Sequence, residues 1–414
     1  MIILINSFSF KELGLSEKLI HDNDILIISH SRQEPSFPFL SSKTVFLKEM
    51  SENTIQEYFV GLNLTGKDVL FIANAEEKII LAGLLNEQYS ACKSYFQAMS
   101  FIDKYLMRIL LNSVIPQPKF KAINSKADVM IYLKEDVGKT HILKPRAQSS
   151  ANGLYILSSK KNINDLPENL NGYILEEFVD YDIMLTSDGI AYDGQIHTFS
   201  VHEYGEKLTE SLRKKNYATV STSRFYNTDK KVIELIYDCT QKVLNKLMVC
   251  NYPIPFHLEW FYNITTGELT FCEGAARFGG AEIPKLIECT FDINVKELYW
   301  KLLLDNNPTG TRENKRIYEP KYYATTFLSY RVDGVVKRLP EEHSIEWLEK
   351  YTCYVKIGEQ LKKSNTAVEN IFNAVFKYLD YRDIAKGIEK CMHLLKEDVV
   401  INEFNSIEEE NLCE

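Results

Sequence analysis

The feature of the sequence that most constrains the fold is the segment 255–280, which reads PFHLEWFYNITTGELTFCEGAARFGG. Two runs rich in apolar residues flank a short turn at Thr266-Gly267, and this pattern predicts a β-hairpin. Side chains alternate between the faces of a strand, and paired strands lie about 5 Å apart. Glu259 and Glu273, each near the middle of its strand, are therefore expected to meet on one face of the hairpin.

Two adjacent carboxylates repel each other, so a cation is expected between them, and a divalent metal ion is the natural candidate. Arg277 follows four residues after Glu273, and Gly279-Gly280 allow the chain to turn tightly there. The alternative is a core hairpin whose two glutamates happen to face solvent. The hairpin alone does not decide between these two interpretations.

Length and composition restrict the class of protein. A chain of 414 residues exceeds one ordinary hydrophobic core and predicts two or three domains. The net charge of −9 argues against broad nucleic-acid binding. No apolar run approaches the roughly 20 residues that a membrane-spanning helix needs, and the N-terminal MIILINSFSF lacks the basic leader of a signal peptide. The eight cysteines are scattered singly, which argues against a zinc site and for a reducing cytoplasm.

The first 95 residues alternate short, continuous apolar runs with amphipathic segments. The runs at 1–5, 24–28, 44–47 and 69–72 are typical of buried parallel strands. They predict a small open α/β domain. It has no G-x-G-x-x-G after its first strand, so no dinucleotide is assigned to it.

From residue 95 the pattern changes. A helix is predicted at 100–110, ending before the prolines at 116 and 118, and another at 124–134. The segment 140–146 predicts a strand that carries Lys144 next to the small, polar loop 147–153. Backbone N–H groups beside a lysine suit polyphosphate oxygens, so this loop is a candidate lid. A surface hairpin with a solvated lysine is the alternative.

The segment 172–179 predicts a strand that ends in the paired acids Glu176-Glu177. Two -Asp-Gly- steps follow, at 188–189 and 193–194, and both predict tight turns of an antiparallel sheet. The basic segment 207–223 is either a mobile loop near the site or a solvated loop without a ligand. In the last part of the chain, strands are predicted within 321–339 and at 372–378, with helices near 341–350 and 381–395. No catalytic motif is recognised there.

Taken in order, these elements resemble the ATP-grasp family of ATP-dependent carboxylate ligases. Four motifs carry the resemblance: Asp103-Lys104, Leu143-Lys144-Pro145, LEEFV at 175–179, and HLE at 257–259 followed by EGAARFGG at 273–280. The last is most similar to the motif of the L-amino acid ligases, which join two amino acids. The resemblance implies an α/β (α+β) fold with a small open α/β (pre-ATP-grasp) domain at 1–95, an ATP-grasp domain at 96–305 and a lid-like α+β subdomain at 306–414.

The resemblance also implies roles for particular residues. The expected ATP contacts are Lys104 and Lys144 at the phosphates, Glu176 and the backbone of Glu177, Phe178 and Val179 at the adenine, and Asp182 at the ribose. Glu259 and Glu273 are expected to hold magnesium or manganese, and Lys144 and Arg277 to act on the transferring phosphoryl group. His257 and Arg277 are candidate substrate contacts. Ala275 departs from the family pattern, because many members place an asparagine there as a third metal ligand.

The implied function is an ATP-dependent ligase that activates an amino acid or another small carboxylic acid as an acyl phosphate and couples it to an amine. One alternative transfers the acyl group to the thiol of an acyl carrier protein in a specialised metabolite pathway. A different class is an ATP-binding regulatory protein with a degenerate site. Small-molecule substrates, no nucleic acid, no membrane, a cytoplasmic location and a possible homodimer complete the expectations.

Overall fold

The computed structural model describes residues 1–33, 35, 38–62, 64, 68–135, 138–148, 153–157, 163, 166–207, 216–305, 317–340, 345–364, 366 and 369–402. Within these ranges the chain forms a parallel sheet at its N-terminus, a small antiparallel sheet, a long antiparallel sheet and a short C-terminal sheet. In the part of the chain that is described, no helix is both long enough and apolar enough to cross a membrane.

The N-terminal parallel sheet has the strand order β3-β2-β1-β4. Its strands are β1 (Ile2–Ile5), β2 (Ile25–His30), β3 (Thr44–Leu47) and β4 (Leu70–Ala73). Ile3 is paired with Leu26 on one side and with Phe71 on the other. The predicted parallel strands are confirmed, and their continuous apolar runs suit a sheet that is covered on both faces.

Helices cover this sheet. They are α1 (Glu17–His21), α2 (Pro38–Ser42), α3 (Glu52–Val60) and α4 (Glu76–Tyr89), with a 3-10 turn at Phe10–Glu12. Asn86 of α4 is fully buried and pairs with the backbone of Phe71, accepting from its N–H and donating to its carbonyl at 2.8 Å each. These hydrogen bonds satisfy the backbone N–H and carbonyl groups of Phe71 at the open edge of β4. They also fix the position of α4, whose first residue, Glu76, lies at the candidate site.

The helix predicted at 100–110 is two helices, α5 (Tyr95–Ile102) and α6 (Lys104–Leu111). Asp103 separates them, because its carboxylate accepts from the backbone N–H groups of Tyr105 and Leu106 and so caps α6. Arg146 forms a double hydrogen bond with the same carboxylate and holds the cap in place.

The small antiparallel sheet has the order β5-β8-β6-β7. Its strands are β5 (Phe120–Ser125), β6 (His141–Pro145), β7 (Tyr155–Leu157) and β8 (Asn169–Glu177). Helix α7 (Lys126–Glu135) packs against it. The predicted helix at 124–134 begins two residues later than expected, since Asn124 and Ser125 still belong to β5 and donate to the carboxylate of Asp128.

The long antiparallel sheet has the order β13-β12-β9-β10-β11-β14-β18-β16. Its strands in chain order are β9 (Ile183–Tyr192), β10 (Gln195–Tyr204), β11 (Tyr217–Thr222), β12 (Ile254–Tyr262), β13 (Leu269–Ala275), β14 (Tyr323–Tyr330), β16 (Lys350–Cys353) and β18 (Asn370–Tyr378). The helices in this region are α8 (Phe225–Thr228), α9 (Lys230–Leu247), α10 (Ile283–Phe291) and α11 (Val295–Leu304). The C-terminal strands β14, β18 and β16 thus continue the sheet that carries the hairpin.

The remaining C-terminal elements form the short sheet β17-β15-β19. Its strands are β15 (Gly334–Arg338), β17 (Gln360–Leu361) and β19 (Val400–Asn402); a 3-10 turn (Tyr381–Asp383), helix α12 (Ile384–His393) and a π-helical turn (Leu394–Asp398) complete the chain. The helix predicted near 341–350 is wrong where it can be checked, because residues 345–349 form turns that lead into β16; residues 341–344 lie outside the described ranges.

Candidate active site

The hairpin that opened the sequence argument is formed by β12 and β13. Glu259 and Glu273 are direct partners across the two strands, and the register shifts only after Glu259. The predicted pairing of these carboxylates on one face is therefore confirmed. On the other side of β12, Glu259 is paired with Thr186 of β9, which places the carboxylate pair at the end of the long sheet.

Two lysines from different elements converge on Glu273. The Nζ atom of Lys104, at the start of α6, lies 3.4 Å from Glu273 Oε2, and the Nζ atom of Lys144, on β6, lies 4.0 Å from the same oxygen. Burial raises the pKa of Glu273, but the charges of Lys104 and Lys144 outweigh it and hold that pKa below its usual value. Lys104 also donates to the backbone carbonyl of Gln148 at 2.6 Å. The small sheet and the hairpin are thus joined through one carboxylate.

Glu176 lies in a buried ion cluster beside this pair. It accepts from Arg108 Nε at 2.9 Å and Arg108 NH2 at 3.2 Å, and Lys144 Nζ lies 2.9 Å from its Oε2. Burial raises the pKa of Glu176, but Arg108 and Lys144 lower it to about 2; the same ion pair raises the pKa of Lys144 against the effect of burial. Arg108 also donates to the carbonyl of Cys272 at 2.5 Å.

Arg108 is a site residue that the sequence argument missed. It is 1% exposed, and it stands four residues after Lys104 on α6. Residues four apart lie on the same face of a helix, so the position of Lys104 was itself the signal that could have identified Arg108. The side chain of Glu176 is occupied by two cations, and its predicted adenine contact stays a prediction.

The segment predicted to bind adenine follows the end of β8. The backbone N–H of Glu177 donates to the carbonyl of Lys119 at 2.9 Å, and that of Phe178 donates to the carbonyl of Thr140 at 3.0 Å. Asp182, the predicted ribose contact, is exposed and accepts from the backbone N–H of Ile264 at 2.8 Å. These contacts fix the course of the segment, and the adenine and ribose roles, including that of Val179, remain predictions.

Glu259 is held from the opposite side by two groups. Tyr204 donates its hydroxyl to Glu259 Oε1 at 2.8 Å, and His257 Nε2 lies 3.5 Å from the same oxygen. His257 Nδ1 is in turn 2.6 Å from Asp188 Oδ1, while His202 Nδ1 is 2.9 Å from Asp188 Oδ2. A buried chain of polar groups therefore runs from the centre of the long sheet to one member of the carboxylate pair.

The prediction of a tight turn at Asp188-Gly189 is wrong. Both residues lie inside strand β9, and Asp188 is 1% exposed. Gly189 is required there for another reason: a Cβ atom would come within 2.0 Å of the carbonyl oxygen of Thr198 on β10. The second -Asp-Gly- step, at 193–194, does form the turn between β9 and β10, with both residues at positive φ.

Charge interactions explain why the buried Asp188 is tolerated. Burial raises the pKa of Asp188, but the charge of His257 and the hydrogen bonds from both histidines reverse this and hold the pKa well below its usual value. For His257, burial lowers the pKa, but Asp188 and then Glu259 raise it to about 9. The two residues therefore form a buried ion pair at neutral pH.

Arg277 lies where the hairpin meets the N-terminal domain. Its Nε donates to Glu76 Oε2 at 2.7 Å, and its NH1 donates to the carbonyl of Phe278 at 3.0 Å. Glu76 begins α4, so this ion pair connects the N-terminal domain to the candidate site. Arg277 is 23% exposed and Glu76 22% exposed at their side chains, which leaves both accessible to a ligand.

A cleft of about 460 Å³ brings these groups together. The charged part of its lining consists of Lys104, Glu259, Glu273, Arg277, Glu76 and Glu206, with His257 and Tyr204 beside them. The C-terminal part of the chain, in which no catalytic motif was recognised, also contributes to the lining through β14 and β18. This contribution to the lining could not be recognised from the sequence, because the residues of β14 and β18 belong to no recognisable sequence motif.

The donor set fits a magnesium ion that is shared with a nucleotide. Among the described residues, no cluster of three or more His, Cys, Asp or Glu side chains could hold a metal ion. Magnesium typically takes only one or two carboxylates and completes its octahedron with phosphate oxygens and water. The pair Glu259 and Glu273 matches that requirement, and Ala275, opposite His257, adds no ligand.

The two candidate lids lie partly outside the described residues. Residues 149–152 of the first segment, 147–153, and 208–215 of the second, 207–223, are not described. In the first, the carbonyl of Gln148 accepts from Lys104. The prediction of a loop throughout 207–223 is wrong for residues 217–222, which form strand β11 of the long sheet. Their role as lids stays a prediction.

No protein-family model matches the chain. It is similar to the L-arginine-specific L-amino acid ligase of Bacillus subtilis, with 23% identity over 322 residues that cover 75% of this chain and 76% of that protein.

Two solved structures show the same fold. An L-amino acid ligase from Bacillus licheniformis matches with a TM-score of 0.73 at 13% identity, over 98% of this chain and 99% of that one. A carboxyaminoimidazole ribonucleotide synthase from Aspergillus clavatus, complexed with ATP, matches with a TM-score of 0.66 at 10% identity, over 96% and 98%. The fold predicted from the sequence is thereby confirmed.

Proposed function

We propose that this chain, whose fold is that of the ATP-grasp carboxylate ligases, uses ATP to activate the carboxylate of an amino acid and couples it to the amine of a second substrate. The products are ADP, phosphate and an amide, which is a dipeptide when the second substrate is also an amino acid. The relative from Bacillus subtilis is named for such a ligase, and this supports an amino acid as the activated substrate.

One observation carries the proposal: the facing carboxylates Glu259 and Glu273 line a cleft together with Lys104 and Arg277, and the buried Lys144 lies 4.0 Å from Glu273 beside that cleft. Lys104 begins α6, Lys144 lies on β6 and Arg277 follows β13. Phosphoryl transfer needs positive charge around the γ-phosphate and a carboxylate-held magnesium ion at its oxygens. A regulatory protein with a degenerate site would have no need to keep these groups together.

The bond changes follow from the chemistry of a carboxylate, which is a poor acyl donor because oxide would have to leave. A carboxylate oxygen attacks the γ-phosphorus of ATP, and the bond between that phosphorus and the bridging oxygen of ADP breaks. The amine nitrogen then attacks the acyl carbon, the bond from carbon to the phosphate oxygen breaks, and the nitrogen loses a proton. When bound, magnesium supplies charge neutralisation at the phosphate oxygens.

The residues of this chain position and stabilise the reacting groups. Lys104 and Lys144 are placed to bind phosphate oxygens, because both Nζ atoms already lie within 4.0 Å of Glu273. Arg277 is placed for the phosphoryl group in transfer. Its ion pair with Glu76 fixes the guanidinium at the junction with the N-terminal domain. The predicted adenine segment 176–179 and Asp182 complete the proposed ATP site.

The test is a screen for ADP release with amino acids added singly and in pairs, followed by mass spectrometry of the products. Stimulation by pairs together with a product mass equal to the two amino acids less water supports amide formation. Glu273→Gln is the inactive control, and Glu234→Gln, a change at an exposed position of α9, is the active one. ATP binding without ADP release for any carboxylate and amine would overturn the proposal in favour of a regulatory role.

The location of the protein and its partners are further proposals, and fewer observations support them. Among the described residues every cysteine is a free thiol, which supports a cytoplasmic location. Transfer to a carrier-protein thiol and assembly into a homodimer stay predictions; addition of an acyl carrier to the same screen tests the first.

A further inference from the structure

The cleft has a second, uncharged end that the proposed chemistry does not use. Leu328 and Tyr330 of β14 are paired with Asn373 and Asn370 of β18, and all four line the cleft. Residues paired across two strands share a face of the sheet, so these side chains form one wall. Tyr354, just after β16, closes that wall.

The two asparagines carry unsatisfied hydrogen-bonding atoms. Asn370 and Asn373 are each 6% exposed, and in the described part of the chain the Oδ1 atom of each is buried without a hydrogen-bond partner. Asn373 Nδ2 donates to the hydroxyl of Tyr354 at 3.1 Å, which fixes the orientation of that amide. An unmet buried acceptor costs about 1–3 kcal/mol, so two on one wall of a ligand cleft indicate a ligand that donates to them.

An apolar surface separates the amides from the charged end. Ala218, Leu328 and Tyr330 pack together in a cluster of their own, and Ala281 packs against it. Ala218 is paired with Leu328 across β11 and β14, so the surface continues across the sheet. Along the cleft the lining therefore changes from charged to apolar to amide.

We propose that this wall selects the side chain of the activated amino acid, and that the side chain is a primary carboxamide on a short apolar stem, as in glutamine or asparagine. The inference rests on the proposed ligase function, because the carboxylate of the substrate must face the charged end. The methylene groups then lie over Ala218 and Leu328. The amide nitrogen carries two hydrogens for the two asparagine oxygens.

Charge distinguishes a carboxamide from a guanidinium. The relative from Bacillus subtilis is named as arginine-specific, whereas the side chains that β11, β14 and β18 contribute to the cleft are those of alanine, leucine, tyrosine and asparagine. Burying a cation against uncharged groups costs more than burying a neutral amide that makes the same hydrogen bonds. Glu206, which follows β10, also lines the cleft, so the comparison with arginine in the experiment below tests whether its charge acts at this wall. Arg331 donates from Nε to the backbone carbonyl of Asn370 at 3.4 Å, and its charge is paired with Glu359 at 3.9 Å.

The experiment measures binding and turnover separately on the full chain. Calorimetry in the presence of magnesium and ADP compares glutamine, asparagine, methionine and arginine, and ADP release is measured with the same amino acids in pairs. Methionine has nearly the shape of glutamine without its amide. We expect glutamine or asparagine to bind at least about tenfold more tightly than methionine or arginine, which is the value of two modest hydrogen bonds.

The variant Asn373→Leu should remove that preference while methionine binding changes less than about threefold. Asn370→Leu is the second variant, in case the first does not fold, and Asn251→Leu at an exposed position is the matched control. Tighter binding of methionine or arginine by the native chain, binding of none of the four, or an unchanged preference in both folded variants would overturn the inference. ADP release with apolar pairs alone would overturn this inference and leave the ligase function standing. Carboxamide binding without ADP release in any pair would overturn the ligase function and leave only the binding of a carboxamide at this wall.

Discussion

Replacing Glu176 by glutamine tests the buried ion cluster beneath the candidate ATP site. The change keeps the shape of the side chain and removes the negative charge that Arg108 and Lys144 share at 2.9 Å each. Glu176 is 4% exposed and Arg108 1% exposed, so water cannot replace the lost charge. We expect Glu176→Gln to destabilise the chain strongly, because the two cations would stay buried without their main partner.

The pKa of Glu176 gives the magnitude. It is about 2, against an ordinary value of 4.5. Each pH unit of difference corresponds to about 1.4 kcal/mol at 25 °C, so the charged form contributes roughly 3 kcal/mol to the free energy of unfolding. Loss of one partner from a buried pair typically costs about 3–5 kcal/mol, which agrees.

The sign of the pH dependence follows from the lowered pKa. The contribution of Glu176 is complete above the unfolded value of 4.5 and is lost as the pH falls towards about 2. The difference in unfolding free energy between the native chain and Glu176→Gln should therefore be constant from pH 7 to about pH 5 and fall below half by about pH 3.

Urea unfolding followed by tryptophan fluorescence measures this difference at each pH. Glu177→Gln is the matched control, because Glu177 is 30% exposed at its side chain and forms an ion pair with the exposed Lys139 at 3.3 Å. Its loss should cost less than about 1 kcal/mol. A cost below about 1 kcal/mol for Glu176→Gln at pH 7, or a cost that does not change between pH 7 and pH 3, would refute the reasoning.

Two further predictions concern the cations of the cleft. Arg277→Ala should lower kcat for ADP release roughly 100-fold and change KM less, because the charge it stabilises develops during transfer; steady-state kinetics measures both, and a kcat within twofold of the native value would count against the role. Asp188→Asn should lower the pKa of His257 from about 9 towards its ordinary 6.5, because burial is then opposed by Glu259 alone. Titration of the His257 ring by NMR measures this, and a pKa that stays near 9 would mean that Glu259 alone holds the charge.

Local patterns in the sequence predicted much of the fold. The continuous apolar runs at 1–5 and 69–72 identified buried parallel strands, since such runs suit a sheet covered on both faces. The alternation in 255–275 gave the hairpin, and with it the meeting of Glu259 and Glu273. These predictions are correct because each depends only on residues that are close together in the sequence, within one strand or within a hairpin.

Contacts between distant segments were not predictable from one chain. Glu76 meets Arg277 across 201 positions, and Arg108 meets Glu176 across 68. Nothing in the local sequence of Glu76 distinguishes it from another acidic residue in the first turn of a helix. The role of Asp188 was misjudged for a related reason: an -Asp-Gly- pair favours a turn locally, but here the close approach of β10 and the two histidines decide its conformation.

The C-terminal part of the chain also forms contacts with distant segments that its sequence alone does not predict. Asn373 lies within the strand predicted at 372–378 and Asn370 lies before it, and only the pairing of β18 with β14 brings both to the wall of the cleft. The break at Asp103 was equally hidden, because the capping carboxylate is held by Arg146, which follows strand β6. Sequence reasoning could bring together the candidate motifs here, but not the residues that contact them or that line the opposite wall.

The most direct measurement follows an oxygen atom from the amino acid to the phosphate. The native chain is given magnesium, ATP and pairs of amino acids labelled with ¹⁸O in their carboxylates, and the released phosphate is analysed by mass spectrometry. If the carboxylate attacks the γ-phosphorus, each amide bond formed should release one phosphate that carries a single ¹⁸O atom, and Glu273→Gln should release none. Phosphate without label, or labelled phosphate at native rates from Glu273→Gln, would contradict the proposed activation at the Glu259–Glu273 pair.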